Sequence, residues 1–225
     1  MEKDYKNPTR KYLSISKQVH FNLRQEILRG DLADGTPLKQ DLLAQRFGVS
    51  VSVLREALKT LEGEGLVEFT TNKGAAVKRL SAQEAEEIFA IRLLLEGEAL
   101  CQSMEKLTEE DFFALEGILD EEEFCHETER YNDLNTKFHQ SLYKHCPNKQ
   151  LLQLIEHYHA LVCRYMLVYL NTLLRKEESQ REHRLLLQAC QLQDKKAARS
   201  LLKRHMQKAS KELALYLAQQ QAPKA

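Results

Sequence analysis

Six of the eight glycines, at 30, 35, 48, 63, 65 and 74, fall before residue 80, and Pro37 stands among them. Beyond Ser81 only Gly97, Gly117 and Pro147 interrupt the chain before its last few residues. Glycine and proline punctuate regular structure, so dense spacing forces short elements and sparse spacing permits long helices. The chain therefore divides near Leu80–Ser81 into a domain of short elements, 1–80, and a domain of long helices, 81–225. Ser81-Ala-Gln-Glu84 has the spacing of a capping box opening the first long helix.

Within the first part, Val19, Leu23, Ile27 and Leu28 recur at helical spacing and predict a helix over Ser16–Arg29, ended by Gly30. A second helix is expected over Lys39–Phe47, with Gly48 making the turn. A third begins behind the N-cap Ser50 and runs to about Gly63. Val67–Thr71 and Ala75–Arg79 read as two short strands around Asn72-Lys73-Gly74, a hairpin turn. The second part reads as about six helices, over 82–104, 108–126, 128–145, 148–171, 177–193 and 195–219. Leu151, Leu152, Ile155, Tyr158, His159 and Val162 are typical of their spacing. The expected fold is mainly α, a small head of three helices and a two-stranded wing followed by an all-α antiparallel bundle.

Bulk properties narrow the setting. The hydrophobic fraction of 43% supports packed cores. No apolar run approaches the ~20 residues that span a bilayer, and the charged start lacks the apolar stretch of a secretory signal. Five scattered cysteines without a C-x-x-C pair fit reduced thiols, so a cytoplasmic protein is expected. The overall charge of zero hides an asymmetry: 14 basic against 10 acidic residues over 1–80, and 19 against 23 thereafter. A basic head on an acidic body suits nucleic-acid contact by the head, although ordinary scatter could give the same balance.

Helix, helix, glycine turn, helix and ribbon is the order of a winged helix-turn-helix, whose third helix enters the DNA major groove. Leu54, Ala57, Leu58 and Leu61 form the inward face of that helix, and Val51, Ser52 and Arg55 its outward N-terminal face. The Arg55 fork can meet a phosphate or a guanine edge, or pair with a nearby carboxylate. Lys73 and the backbone at Gly74 occupy the wing tip, suited to a phosphate or minor groove.

Across Ile27–Val77, Leu43-Ala44, Gly48-Val49-Ser50, Arg55-Glu56-Ala57-Leu58 and Glu64-Gly65-Leu66-Val67 stand in one register. This stretch resembles the GntR family of bacterial transcription regulators, with the match covering most of 18–80. The resemblance implies double-stranded DNA as partner, with Ser52, Arg55, Lys73 and Gly74 in contact. A homodimer would read an inverted-repeat operator, because two-fold symmetry matches a palindrome. Two departures stand out. The family's usual Ser-Arg-Thr-Pro-Val-Arg run is here Ser50-Val51-Ser52-Val53-Leu54-Arg55, and its second-helix Glu-Arg pair is Gln40-Asp41.

Seven of the eight histidines follow residue 81. His126, His145, His157 and His159 have no usable partner spacing. Asn135 and His139, four apart, share one helix face. His183 and His205 each lie 11 residues from Asp194, the expected turn of a helical hairpin. Equal distance from the turn means equal height, ~16 Å along either helix, so the two imidazoles can converge inside the bundle. Three imidazoles and an amide oxygen suit a divalent metal, zinc first, with nickel, manganese or iron as alternatives. Spacing alone leaves ordinary core histidines as the competing reading.

Residues 81–217 resemble the FadR-type, or FCD, sensor domain. The matching pieces are Arg92-x-x-Leu95-Glu96-x-x-Ala99, Asn135-x-x-Phe138-His139-x-x-Leu142, Glu182-His183-x-x-Leu186, and Asp194-x-x-Ala197 leading to His205. That resemblance implies a divalent metal on Asn135, His139, His183 and His205, beneath a small organic acid effector. Aspartate is common where Asn135 stands. Arg92 is the expected carboxylate anchor, with Arg164 second, and a solvated arginine is the alternative for Arg92. The reading is a homodimeric, effector-responsive repressor. Two other classes are open: a metal-binding protein with a degenerate head, and a metal-dependent hydrolase. The hydrolase needs a base near the metal, and Glu182, beside His183, is expected to point elsewhere. DNA binding discriminates against both.

Overall fold

The computed structural model describes residues 14–71, 74–172 and 176–221, without the side chains of residues 128, 129, 164, 166–172 and 221. It forms two compact units, one ending at Arg79 and the other beginning at Leu80. Among the described residues no helix is long and apolar enough to cross a membrane.

In the first unit, α1 (Ile15–Arg29) starts at Ser14, whose hydroxyl accepts from the Lys17 amide, and stops at Gly30 in the left-handed region, φ 82°. Helix α2 (Gln40–Phe47) ends on Gly48, φ 65°, which turns the chain into α3 (Val51–Gly63). Ser50 caps α3 by accepting from the Val53 amide at 3.3 Å. Val19, Leu23 and Ile27 of α1 and Leu54, Leu58 and Leu61 of α3 are buried, whereas Leu28 is only half-buried. Glu64, just beyond α3, locks this packing by pairing with His20 at 2.6 Å and accepting from Arg24 at 3.0 Å.

The wing is a two-stranded antiparallel ribbon, β1 (Val67–Thr70) and β2 (Gly74–Val77), in register Val67 with Val77 and Thr70 with Gly74. It is shorter than the sequence predicts. Beyond the ladder, the Lys78 amide donates to the Leu66 carbonyl, while Pro37 bridges Ala76 from the loop before α2.

The second unit is a bundle of α4 (Ala82–Met104), α5 (Glu109–Glu123), α6 (Thr128–Tyr143), α7 (Lys149–Thr172), α8 (Lys176–Gln191) and α9 (Lys195–Gln221). Ser81 and Glu84 form the expected capping box of α4, and Thr108 and Asp111 form a second at α5. Helix α5 ends earlier than predicted, with the Cys125 amide closing a tight turn onto the Glu122 carbonyl. Helix α8 also ends early, because Gln193 adopts a left-handed φ of 55°. Asp194 then caps α9 by accepting from the Ala197 amide at 2.9 Å. Helix α4 is the spine, packed by α6, α7 and α9, while α5 lies across α6 and α8. Among the buried residues of α4 are two charged ones, Arg92 and Glu96. Charges so placed are costly unless they are paired.

Candidate functional site

Three helices of the bundle bring His139 (α6), His183 (α8) and His205 (α9) together. Ring centroids lie 5.1 Å apart for His139–His183, 5.4 Å for His139–His205 and 4.8 Å for His183–His205. One ring nitrogen from each falls within 4.8 Å of the others. Phe138 stacks on His183 at 4.6 Å and holds its plane.

Each imidazole is oriented through Nδ1. His183 Nδ1 lies 3.4 Å from Glu122 Oε2, His205 Nδ1 lies 2.8 Å from Glu182 Oε2, and His139 Nδ1 lies 3.3 Å from the Tyr143 hydroxyl. Outer partners of this kind fix the tautomer of a ligating histidine and leave Nε2 for the metal. His183 Nε2 is buried and has no hydrogen-bond partner among the described residues. A polar atom left in that state costs free energy unless something ligates it.

Burial sets the protonation. It pushes His183 down to about 4, against the opposing charge of Glu182, and holds His139 well below the ordinary value, reinforced by the charges of His183, His205 and Arg92. His205 is also lowered by burial, against the opposing hydrogen bond that it donates to Glu182. All three are thus neutral at neutral pH, the form that ligates. Burial raises Glu122 to about 8, against the opposing charges of His205 and Arg184.

Beside the cluster is a cavity of about 200 Å³, walled by Arg92, Glu96, Thr136, His139, Tyr143 and His159, with Leu152 and Ile155 on its apolar side. Arg92 Nε donates to Glu96 Oε1 at 2.8 Å, and the Tyr143 hydroxyl donates to Glu96 Oε2 at 2.8 Å. A continuous polar chain therefore runs from Arg92 through Glu96 and Tyr143 to His139. Lys144 reaches the same cavity while pairing with Asp111.

Asn135 is half-buried one turn before His139 on α6. Arg92 is buried in the cavity wall rather than solvated. The Arg164 side chain and Lys73 lie outside the described residues. Glu182 does not point away, as the sequence suggested: α9 packs against its side of α8 and brings His205 to its carboxylate. Several residues had no sequence signal strong enough to assign. Glu122 arrives from α5, and His159, set aside for want of a partner, lines the cavity 3.4 Å from the Thr136 hydroxyl. Tyr143 and Glu96 were within reach of the i, i+4 rule, from His139 and Arg92 respectively.

In the head, Ser52 and Arg55 are exposed on the first turns of α3. Arg55 Nε donates to Gln40 Oε1 at 3.1 Å. Arg55, Gln40, Asp41, Val51 and Gly74 border one cleft between α2, α3 and the wing. Gly74 takes φ 81°, a conformation L side chains rarely adopt.

Residues 15–77 match the family "Bacterial regulatory proteins, gntR family", and residues 87–208 match the FCD domain. The chain belongs to the GntR family. The HTH-type transcriptional regulator YdhC of Bacillus subtilis (strain 168) is 31% identical to it over 88% of each chain. The HTH-type transcriptional repressor GlaR of Escherichia coli (strain K12) is 28% identical over 82% of this chain and 89% of its own. A crystal structure of a GntR-family regulator from Pseudomonas syringae pv. tomato has 31% identity and a TM-score of 0.58, covering 94% of this chain and 89% of its own. This GntR-family member is accordingly a DNA-binding transcription regulator and not an enzyme. Its three-helix head with a wing, and its helical FCD bundle, are the two matched regions.

Proposed function

We propose that the protein is a homodimeric, cytoplasmic repressor whose grip on an inverted-repeat operator is set by a small organic acid bound at a divalent metal, zinc first. Residues 1–80 bind DNA through Ser52, Arg55, Lys73 and Gly74. Residues 81–225 dimerise and sense. His139, His183 and His205 hold the metal, with Asn135 as the fourth ligand, and Arg92, assisted by Arg164, holds the effector. The observation that carries this reading is the buried Nε2 of His183, without a partner among the described residues, at the meeting point of three imidazoles whose Nδ1 atoms are already engaged. When bound, the metal supplies a positive charge that attracts a carboxylate.

The chain's own residues do the rest. Arg92 presents a guanidinium to the cavity, a good match for a carboxylate in a dry site. Glu96 keeps that guanidinium in place and, through Tyr143, ties it to His139. Leu152 and Ile155 exclude water from one side. An acid seated there favours one arrangement of the bundle by its differential affinity, and operator binding shifts with that population. The repressor assignment follows the named role of GlaR.

Fluorescence anisotropy on the chain's own promoter DNA tests the reading. Small mono-, di- and hydroxy-acids are added to the metal-loaded protein. At least one should change operator affinity, and Arg92→Lys, which keeps a positive charge beside Glu96 but loses the planar fork, should weaken that response while leaving operator binding without acid intact. Absence of any response across the acids, with operator binding present, rejects the effector assignment.

A further inference from the structure

Val51 is the first residue of α3 and remains 36% exposed. It shares the α3 face of Arg55, one turn ahead of it, and both border the cleft with Gln40 and Gly74. Arg55 is held in register by its bond to Gln40. Ser50 is engaged in capping the helix, so it does not shield Val51. An exposed aliphatic side chain beside a positioned guanidinium can make few favourable contacts on DNA. Phosphates and most base edges offer only polar atoms. The thymine 5-methyl is the one apolar group on the major-groove edge of the bases.

We propose that Val51 is a specificity-determining residue that packs on the 5-methyl of a thymine near the base pair met by Arg55. This rests on the reading that α3 enters the major groove. Four residues of helix advance ~6 Å, and base pairs stack every ~3.4 Å. The thymine therefore lies about one or two base pairs from the guanine that Arg55 contacts. Gln40 sets that spacing by fixing the direction of the guanidinium.

The test uses the full chain and a double-stranded DNA library with a randomised core. In the selected duplex each thymine is replaced in turn by deoxyuridine, which pairs as thymine does and lacks only the methyl. Each guanine is likewise replaced by 7-deazaguanine, which lacks the N7 acceptor. One guanine replacement should weaken the wild type and not Arg55→Ala. One thymine, one or two base pairs away, should lose about fourfold in affinity when replaced, the value of one methyl-sized apolar group. Val51→Ala should be insensitive to that replacement. If the guanine behaves so but no thymine does, or if Val51→Ala loses as much as the wild type, the role of Val51 is overturned and the placement of α3 stands. Selection of no preferred duplex overturns both.

Discussion

The carboxylate of Glu182 meets His205 Nδ1 at 2.8 Å, linking the residue beside one clustered histidine to a second histidine on the next helix. A carboxylate so placed fixes the ring and makes Nε2 more basic. Glu182→Ala should therefore weaken metal binding by about 10- to 100-fold without abolishing it. Competition against a chelator of known affinity measures this. Unchanged affinity would show that the pair only joins the two helices.

The buried pair of Arg92 and Glu96 should matter for folding as well as binding. Glu96→Ala leaves a buried guanidinium without its carboxylate, at a cost of about 3–5 kcal/mol. Tyr143→Phe removes one hydrogen bond to the same carboxylate and should cost about 1–3 kcal/mol. Urea unfolding of the metal-free protein reads both. The order matters more than the values: Tyr143→Phe destabilising more than Glu96→Ala would contradict the arrangement.

The chain was legible where structure is local. Ser81 and Glu84 are three residues apart, and their capping box needed no tertiary information. His183 and His205 could be brought to one height by counting from Asp194, because α8 and α9 are long helices joined by a tight turn. The contribution of Glu122 was hidden for the opposite reason. It sits 61 residues from His183, and only the packing of α5 across α8 joins them. Gln40 and Arg55 are a smaller case, 15 residues apart on separate helices. Glu182 shows how a local argument misleads: the position next to His183 does face another way, but α9 fills that direction. The strand end at Val77 falls short of Arg79 because the backbone of Lys78 pairs with Leu66 outside the ladder.

His159 gives a pH signature. Burial lowers it to about 3, so the folded protein keeps the ring neutral where the unfolded chain, with an ordinary value of 6.5, takes up a proton. The unfolded state binds more protons below that value, and stability falls as pH drops from about 6.5 toward 3. His159→Gln should make this slope shallower in melting curves of the metal-free protein, with His139, His183 and His205, also lowered by burial, supplying the remainder. An identical slope for both proteins would contradict the burial of His159.

In the head, Arg55→Ala should cost about 1–3 kcal/mol of binding to the selected operator and relax preference at one base pair. Anisotropy against operator and scrambled duplexes separates the two effects. A loss equal on both duplexes would mean that Arg55 contacts only phosphate.

Metal content tests the centre itself. Gently purified protein, dialysed against a metal-free buffer, is analysed by inductively coupled plasma mass spectrometry alongside His139→Ala, His183→Ala and His205→Ala. One divalent ion per chain in the wild type, with a large loss in each variant, is the expected result. Equal metal content in the wild type and all three variants, whether one ion or none, would contradict a metal centre on these histidines.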